Sequence, residues 1–328
     1  MNNFWQKLNK PFFVLAPMAD VTDCAFRQII NKYGKPDVFW TEFVSADGLA
    51  HPEARPKLLI DLKFSPNEHP IVAQIFGSRP ENIREAAKLC VELGFDGLDI
   101  NMGCPDKSIE KQGAGAACIK NPALSIEVIH AAREGGGGLP VSVKTRIGYN
   151  KEEIDTWIAT LLKEKLPVLT VHLRTRKEMS LVPAHWELMP RIIELRNKIS
   201  PETLIIGNGD VTDLKDAEEK IKKYGCDGVM FGRAIFGNPW LFSASQTYGN
   251  HLSDLVERDT ESKLHVMVEH TKLFEEMLGK HKNFAIMKKH YKAYVNGFDG
   301  AKELRVKLME AENADEVEKI TNDFLKNI

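Results

Sequence analysis

Cys104 stands between Gly103 and Pro105, in the run Asp99-Ile100-Asn101-Met102-Gly103-Cys104-Pro105. A cysteine held between glycine and proline does not fit inside a strand or helix, because proline lacks a backbone N–H and glycine weakens both structures. It belongs in a tight loop. A free thiol titrates at roughly 8.5, so near neutrality it is mostly protonated and can donate a proton. Without a nearby cation it is a poor nucleophile. Gly113 and Gly115 either let the following loop flex over a substrate or make an ordinary turn before a helix beginning at Pro122. Cys24, Cys90, Cys118 and Cys226 read as small core side chains.

Two glycine-bearing runs form a second group: Ile206-Gly207-Asn208-Gly209-Asp210 and Gly228-Val229-Met230-Phe231-Gly232-Arg233. Glycines permit close backbone approach to a phosphate, and Arg233 adds a charged donor. The pair points to a phosphate-bearing ligand without identifying it, and many aldolases and isomerases would look alike here. Lys144 interrupts the apolar run Val143-Lys144-Thr145. A buried lysine costs desolvation unless a negative partner is present. That partner is either a carboxylate such as Asp99 or Glu42, or a ligand. A flavin suits it, because a cation near the N1–O2 edge stabilises the reduced ring. His172 reads as a ligand contact or a satisfied core histidine, and Gln74 as a hydrogen-bonding partner for a flavin pyrimidine edge. No HExxH, no phosphate-binding GxxxxGK[ST] loop and no GxGxxG following a strand occurs, and the five cysteines contain no CxxC pair. No metal site is expected.

These residues need elements to position them. Short apolar runs suited to strands buried on both faces occur at Phe12–Ala16, Val38–Thr41, Ile71–Phe76, Gly97–Asn101, Val141–Thr145, Val168–His172, Leu204–Asn208 and Gly228–Phe231. Amphipathic segments such as Pro80–Leu93, Pro122–Glu134, Glu152–Glu164 and Leu214–Tyr224 alternate with them. Eight strand-then-helix units predict an α/β fold of the (β/α)8 TIM-barrel class. The polar and glycine residues all follow strand ends, so they meet at one rim, where such barrels build active sites. From Thr260 onward only helical periodicity remains, as in Leu264, Met267, Val268, Thr271, Phe274 and Leu278. The expected organisation is a barrel over residues 1–245, a linker over 246–259, and a small all-helical domain over 260–328.

Hydrophobic residues at 43% and charged residues at 27% exclude a disordered chain. No apolar run approaches the roughly 20 residues of a membrane span, and no signal peptide is apparent, so no membrane partner is expected. Dispersed, odd-numbered cysteines favour a reducing compartment, with the cytoplasm as the default and a monomer as the expected state. The formal charge is −2, yet residues 280–307 hold eight Lys/Arg against two acids. Alone, that excess reads as a solvated helix face.

Taken together, these segments resemble the tRNA-dihydrouridine synthase family. The resemblance is carried by Ala16-Pro17-Met18-Ala19 with Val21-Thr22-Asp23, Gln74-Ile75-Phe76-Gly77, the Asn101–Pro105 element, Val143–Gly148 and His172 with Arg174-Thr175-Arg176. It is also carried by Gly207–Asp210, Gly228–Arg233, and Lys289-His290 through Tyr294 with Gly297 and Leu304-Arg305. The chain departs at Leu173, where the family has a small glycine, which bears on the loop carrying Arg174 and Arg176. The resemblance implies FMN reduced by NADPH, hydride transfer to C6 of a uracil in tRNA, and a proton from Cys104 to C5. It implies a flavin site of Pro17, Met18, Ala19, Gln74, Lys144, His172, Asn208, Gly209, Asp210, Gly232 and Arg233. Asn101, Arg174, Arg176, Lys288, Lys289, Lys292 and Arg305 would contact RNA, with Tyr291 and Tyr294 interleaved in the basic stretch; no DNA contact is expected. The target base must leave its stack to reach a barrel mouth. The rival readings are a dihydroorotate dehydrogenase-like flavin enzyme, a phosphate-binding aldolase and a non-catalytic RNA-binding protein.

Overall fold

Eight strands, each four to seven residues long, run parallel in one sheet in the order β1-β8-β7-β6-β5-β4-β3-β2. They are β1 (Phe12–Leu15), β2 (Phe39–Ser45), β3 (Ile71–Phe76), β4 (Gly97–Met102), β5 (Val141–Arg146), β6 (Val168–His172), β7 (Leu204–Asn208) and β8 (Gly228–Phe231). A bridge between Val14 and Val38 joins β1 to β2 and closes the sheet on itself. The computed structural model describes residues 3–243 and 259–327. The (β/α)8 expectation holds, and four strands match their expected limits residue for residue. β2 runs four residues further than expected, past an irregularity between Trp40 and Phe43.

Parallel strands need apolar cover on both faces. Inside the barrel, Phe12, Val14, Val38, Trp40, Val72, Val168, Leu204, Ile206 and Met230 form one cluster with Trp5. Trp5 comes from a short 3-10 turn, Phe4–Lys7, capped by Asn3, whose Oδ1 accepts from Trp5 N at 3.2 Å. Its ring lies 5.5 Å from that of Trp40 and 6.1 Å from Phe12, both near strand starts, so it plugs the amino-terminal end. The opposite, carboxyl-terminal end is left to carry chemistry.

The described residues divide into two compact units, one within Met1–Met18 and Asp37–Gly232, the other within Ala19–Pro36 and Arg233–Ile328. A simple boundary at residue 245 does not describe this. The helix Cys24–Tyr33, expected in the barrel, belongs to the second unit. Phe26 stacks on His270 at 4.8 Å, and Tyr33 Oη donates to Glu269 at 2.6 Å; both partners lie in the helix Thr260–Leu278. The helices Lys288–Tyr294, Ala301–Glu310 and Ala314–Leu325 complete that unit. Of the expected linker 246–259, all but Asp259 lies outside the described residues. Among the described residues, no helix is long and apolar enough to cross a membrane.

Candidate active site at the barrel rim

A chain of buried hydrogen bonds builds the thiol loop from the strands upward. Ser142 Oγ donates to Asp99 Oδ1 at 2.5 Å, and Gln74 Nε2 donates to Asp99 Oδ2 at 2.6 Å. Gln74 Oε1 accepts from Asn101 Nδ2 at 3.0 Å, and Asn101 Oδ1 accepts from the backbone N–H of Gly103 at 3.1 Å and Cys104 at 2.9 Å. Four strand-borne side chains thus fix the turn that presents the cysteine. Cys104 O accepts from Ala116 N at 2.8 Å, while Gly115 turns at φ +60. A Cβ at Gly115 would lie 2.7 Å from Cys104 O, so only glycine fits there.

Cys104 is half-buried against Phe76, Ile109, Ala114 and Phe43. Burial pushes its thiol up, and the charge of Asp106 adds to that; the Asp106 backbone N–H and the cations of Lys144 and Arg146 oppose it. The result is a thiol that keeps its proton at neutral pH. This is the state a general acid needs.

Lys144, on β5, donates from Nζ to Asn208 Oδ1 at 3.2 Å. Burial, helped by repulsion from Arg146, pushes its amine down to about 8, against the pull of Asp99 and Cys104. Asp99 acts on it through charge, because both Asp99 oxygens are taken by Ser142 and Gln74; burial pushes that carboxyl up to about 6. Lys144 is therefore a half-buried side chain whose amine is hydrogen-bonded to a neutral amide.

Arg146 is the last residue of β5 and lies within the Val143–Gly148 run, with no role expected of it from the sequence. The structure gives it a central place. Its Nε donates to Gly103 O at 2.8 Å, and its Nη1 donates to Thr175 O at 3.1 Å and Met179 O at 2.9 Å. One guanidinium thus ties the thiol loop to the loop after β6.

The expected RNA contacts at this rim are corrected. Arg174 is 2% exposed, donates to Val182 O at 2.6 Å, meets His172 Nε2 at 3.1 Å and pairs with Asp210. It holds its own loop together. Arg176 grips Glu110 with both arms of its fork and stacks over Tyr149 at 5.5 Å, so it fixes the segment after Cys104. Asn101 is 6% exposed and its side chain is engaged in the turn described above. Gln74 is fully buried and bonded at both ends, leaving it a supporting member of the network. Leu173 is also fully buried, so the departure from the family's glycine adds core packing.

The remaining expected flavin contacts follow the strand ends. Asn208 Nδ2 donates to Met230 O at 2.9 Å. Gly209 sits at φ +126, where a Cβ would meet Ala184 Cβ at 2.8 Å, and Asp210 accepts from Ala184 N at 2.9 Å. At Gly232 an added Cβ would reach only Met18 Sδ, at 3.9 Å, leaving open space beside Pro17-Met18. Ala19 and Arg233 belong to the second compact unit and are exposed.

In that second unit, Lys289 and Lys292 are exposed and Lys288 is half-buried. Lys289 Nζ lies 3.5 Å from Asp20 Oδ2. Arg305 donates to Val295 O at 2.7 Å, a structural tie. Tyr291 and Tyr294 are fully buried, which corrects their expected place in an RNA-facing surface.

The sequence matches the family model described as dihydrouridine synthase over residues 14–328. It is 42% identical over 324 residues to a probable tRNA-dihydrouridine synthase 2 of Bacillus subtilis, covering 98% of this chain and 96% of that one. It is 41% identical to a probable tRNA-dihydrouridine synthase of Staphylococcus aureus, covering 98% and 95%. Among solved structures it is similar to a morphinone reductase, with TM-score 0.53, 14% identity, and 74% of this chain and 87% of that one covered. It is also similar to an old yellow enzyme homologue from Zymomonas mobilis, with TM-score 0.51, 14% identity, and 75% and 91% covered. At such identities the structural likeness concerns the fold.

Proposed function

The chain belongs to the dihydrouridine synthase family of oxidoreductases, and from that membership we propose that its barrel rim reduces uridines of tRNA to dihydrouridine. The observation that carries the reading is a half-buried Cys104 on a loop fixed by Asn101, with the Lys144 amine near enough to act on its thiol by charge. Saturating the C5–C6 bond takes one hydride and one proton. Bound FMN, reduced by NADPH, would supply the hydride at C6. Cys104 Sγ gives the proton to C5, and its raised affinity for that proton keeps it loaded between turnovers.

The residues present fit a flavin. Lys144 would stand against its anionic pyrimidine edge, which restores the counter-charge that burial denies the amine. Asn208 orients Lys144, Gly209 makes the left-handed turn after β7, and Gly232 with its open side permits close approach of a phosphate. Pro17, Met18, His172 and Asp210 line the same strand ends. Gln74 acts behind them by holding Asn101 and Asp99. A tRNA substrate agrees with the cytoplasm as its compartment.

The purified protein is expected to show flavin absorbance and to release FMN on denaturation. With NADPH and an unmodified tRNA transcript it forms dihydrouridine, read by mass spectrometry. Lys144→Ala weakens flavin retention or slows flavin reduction. A colourless protein that FMN cannot reconstitute, or one that leaves the transcript unchanged, defeats the proposal.

A further inference from the structure

Leu181 is 86% exposed, more than any other large apolar side chain among the described residues. Met179, two positions earlier, is 38% exposed and takes a left-handed φ of 55, which costs a non-glycine residue energy. An exposed leucine on a loose loop would need no explanation. This loop is not loose.

Leu181 N donates to Glu178 O at 2.9 Å, and Glu178 in turn accepts from Thr175 N at 2.8 Å and meets His185 Nε2 at 3.0 Å. Lys177 N donates to Tyr149 O at 2.8 Å, and His185 N donates to Leu173 O at 2.7 Å. Two buried guanidinium groups reach up to the tip's carbonyls: Arg146 to Thr175 and Met179, and Arg174 to Val182. Buried arginines committed to backbone carbonyls hold the tip in one shape. The same Arg146 holds Gly103 O, next to Cys104, so the apolar tip stands one guanidinium away from the thiol loop.

We propose that Leu181, backed by Met179, is an apolar wedge that presses into the base stack of the RNA substrate where the target uridine leaves it. The inference rests on the RNA-reducing function above. A base extracted from a stack leaves apolar ring faces open, and an inserted aliphatic side chain covers them. A rigid mount matters because a flexible tip would lose entropy on insertion. The neighbouring Lys177 is exposed and cationic, which favours a polyanion over an apolar protein face.

The test uses the full-length enzyme and an unmodified tRNA transcript. Leu181→Ala and Leu181→Asn lower kcat/KM for dihydrouridine formation by about tenfold, while Leu181→Phe, which covers a base face equally well, restores it. NADPH oxidation without RNA is unchanged in all three. Thermal midpoints stay at the parent value, because an exposed side chain is being altered. Full activity of the alanine and asparagine variants would overturn the wedge, as would a phenylalanine variant as damaged as alanine. Equal loss of NADPH oxidation would make the loop a support for the active site, and a changed oligomeric state on sizing would make it a protein contact; either result overturns the proposal. A parent enzyme that leaves the transcript unreduced removes the function itself, and the wedge falls with it.

Discussion

A proton donor must hold its proton until the substrate arrives, and Cys104 does so because burial outweighs the two cations near it. Cys104→Ala should keep flavin binding and NADPH oxidation while dihydrouridine formation falls by about 10²–10⁴-fold. The sign of the pH dependence follows from the raised thiol. The acid form is active, so proton donation, read in single turnovers of the pre-reduced enzyme, should hold through neutrality and decline only above the thiol's ordinary value of 9.0. A rate that rises with pH through that range would assign the sulfur a nucleophile's role. At this scale the sequence was informative where chemistry is local: Gly103-Cys104-Pro105 announces a loop thiol, and a lysine between Val143 and Thr145 announces a cation carried on a barrel strand. It was uninformative where a residue's task depends on distant partners. Arg174 reads as an exposed RNA contact until its partner Asp210, 36 positions away, is brought against it. Arg146 carries no local mark of the three carbonyls it joins.

Strands were legible because burial on both faces leaves continuous apolar runs, and the barrel's rim followed from where those runs stop. Helices were legible as helices, but periodicity does not say which unit buries an apolar face. The helix Cys24–Tyr33 lies between two barrel strands in sequence and packs its Phe26 on His270 and His290 of the second unit. That packing has a consequence for stability. Both histidines are fully buried, and none of their four ring nitrogens has a hydrogen-bond partner. Their rings lie 4.6 Å apart, with Phe236 stacked on His290 and Tyr294 against His270. Burial pushes His290 down to about 3, helped by Lys289, and pushes His270 well below its ordinary 6.5, helped by His290. A histidine neutral in the fold and protonated when unfolded favours the unfolded state as pH drops. The contribution is intact above pH 6.5 and is lost as pH falls from there towards 3. Lowering pH from 7 to 5 should therefore depress the thermal midpoint, and His290→Phe should reduce that depression. A variant with the parent's pH slope would remove the pair as its source.

Net charge is the property of the whole chain that argues least for an RNA enzyme: at −2 the molecule is mildly acidic, so any attraction to phosphates must come from how charge is distributed. The helix Lys288–Tyr294 shows one such distribution. Its His290, Tyr291 and Tyr294 are buried, while Lys288, Lys289 and Lys292 share the opposite, outward face at spacings of three and four. With the tyrosines inside, this face has no stacking residues and can act on RNA only through charge. It should therefore add affinity without sequence preference, and its contribution should fade with salt. Each phosphate contact is worth roughly 0.9 in the slope of log K against log salt on a duplex, and roughly 0.7 on a single strand. Reversing Lys288, Lys289 and Lys292 to glutamate should weaken tRNA binding at low salt and flatten that slope by about 2 units. Flavin content should stay at the parent level. Lys289 should contribute least of the three, because Asp20 already offsets part of its charge. Cys104→Ala should show the reverse pattern, with RNA affinity kept and chemistry lost. If the triple variant binds as tightly as the parent at both 50 mM and 200 mM salt, conditions between which phosphate contacts separate widely, the lysines are a solvated face. Affinity would then rest on the barrel unit, where Lys177 and the exposed tip at Leu181 are the surface features to examine.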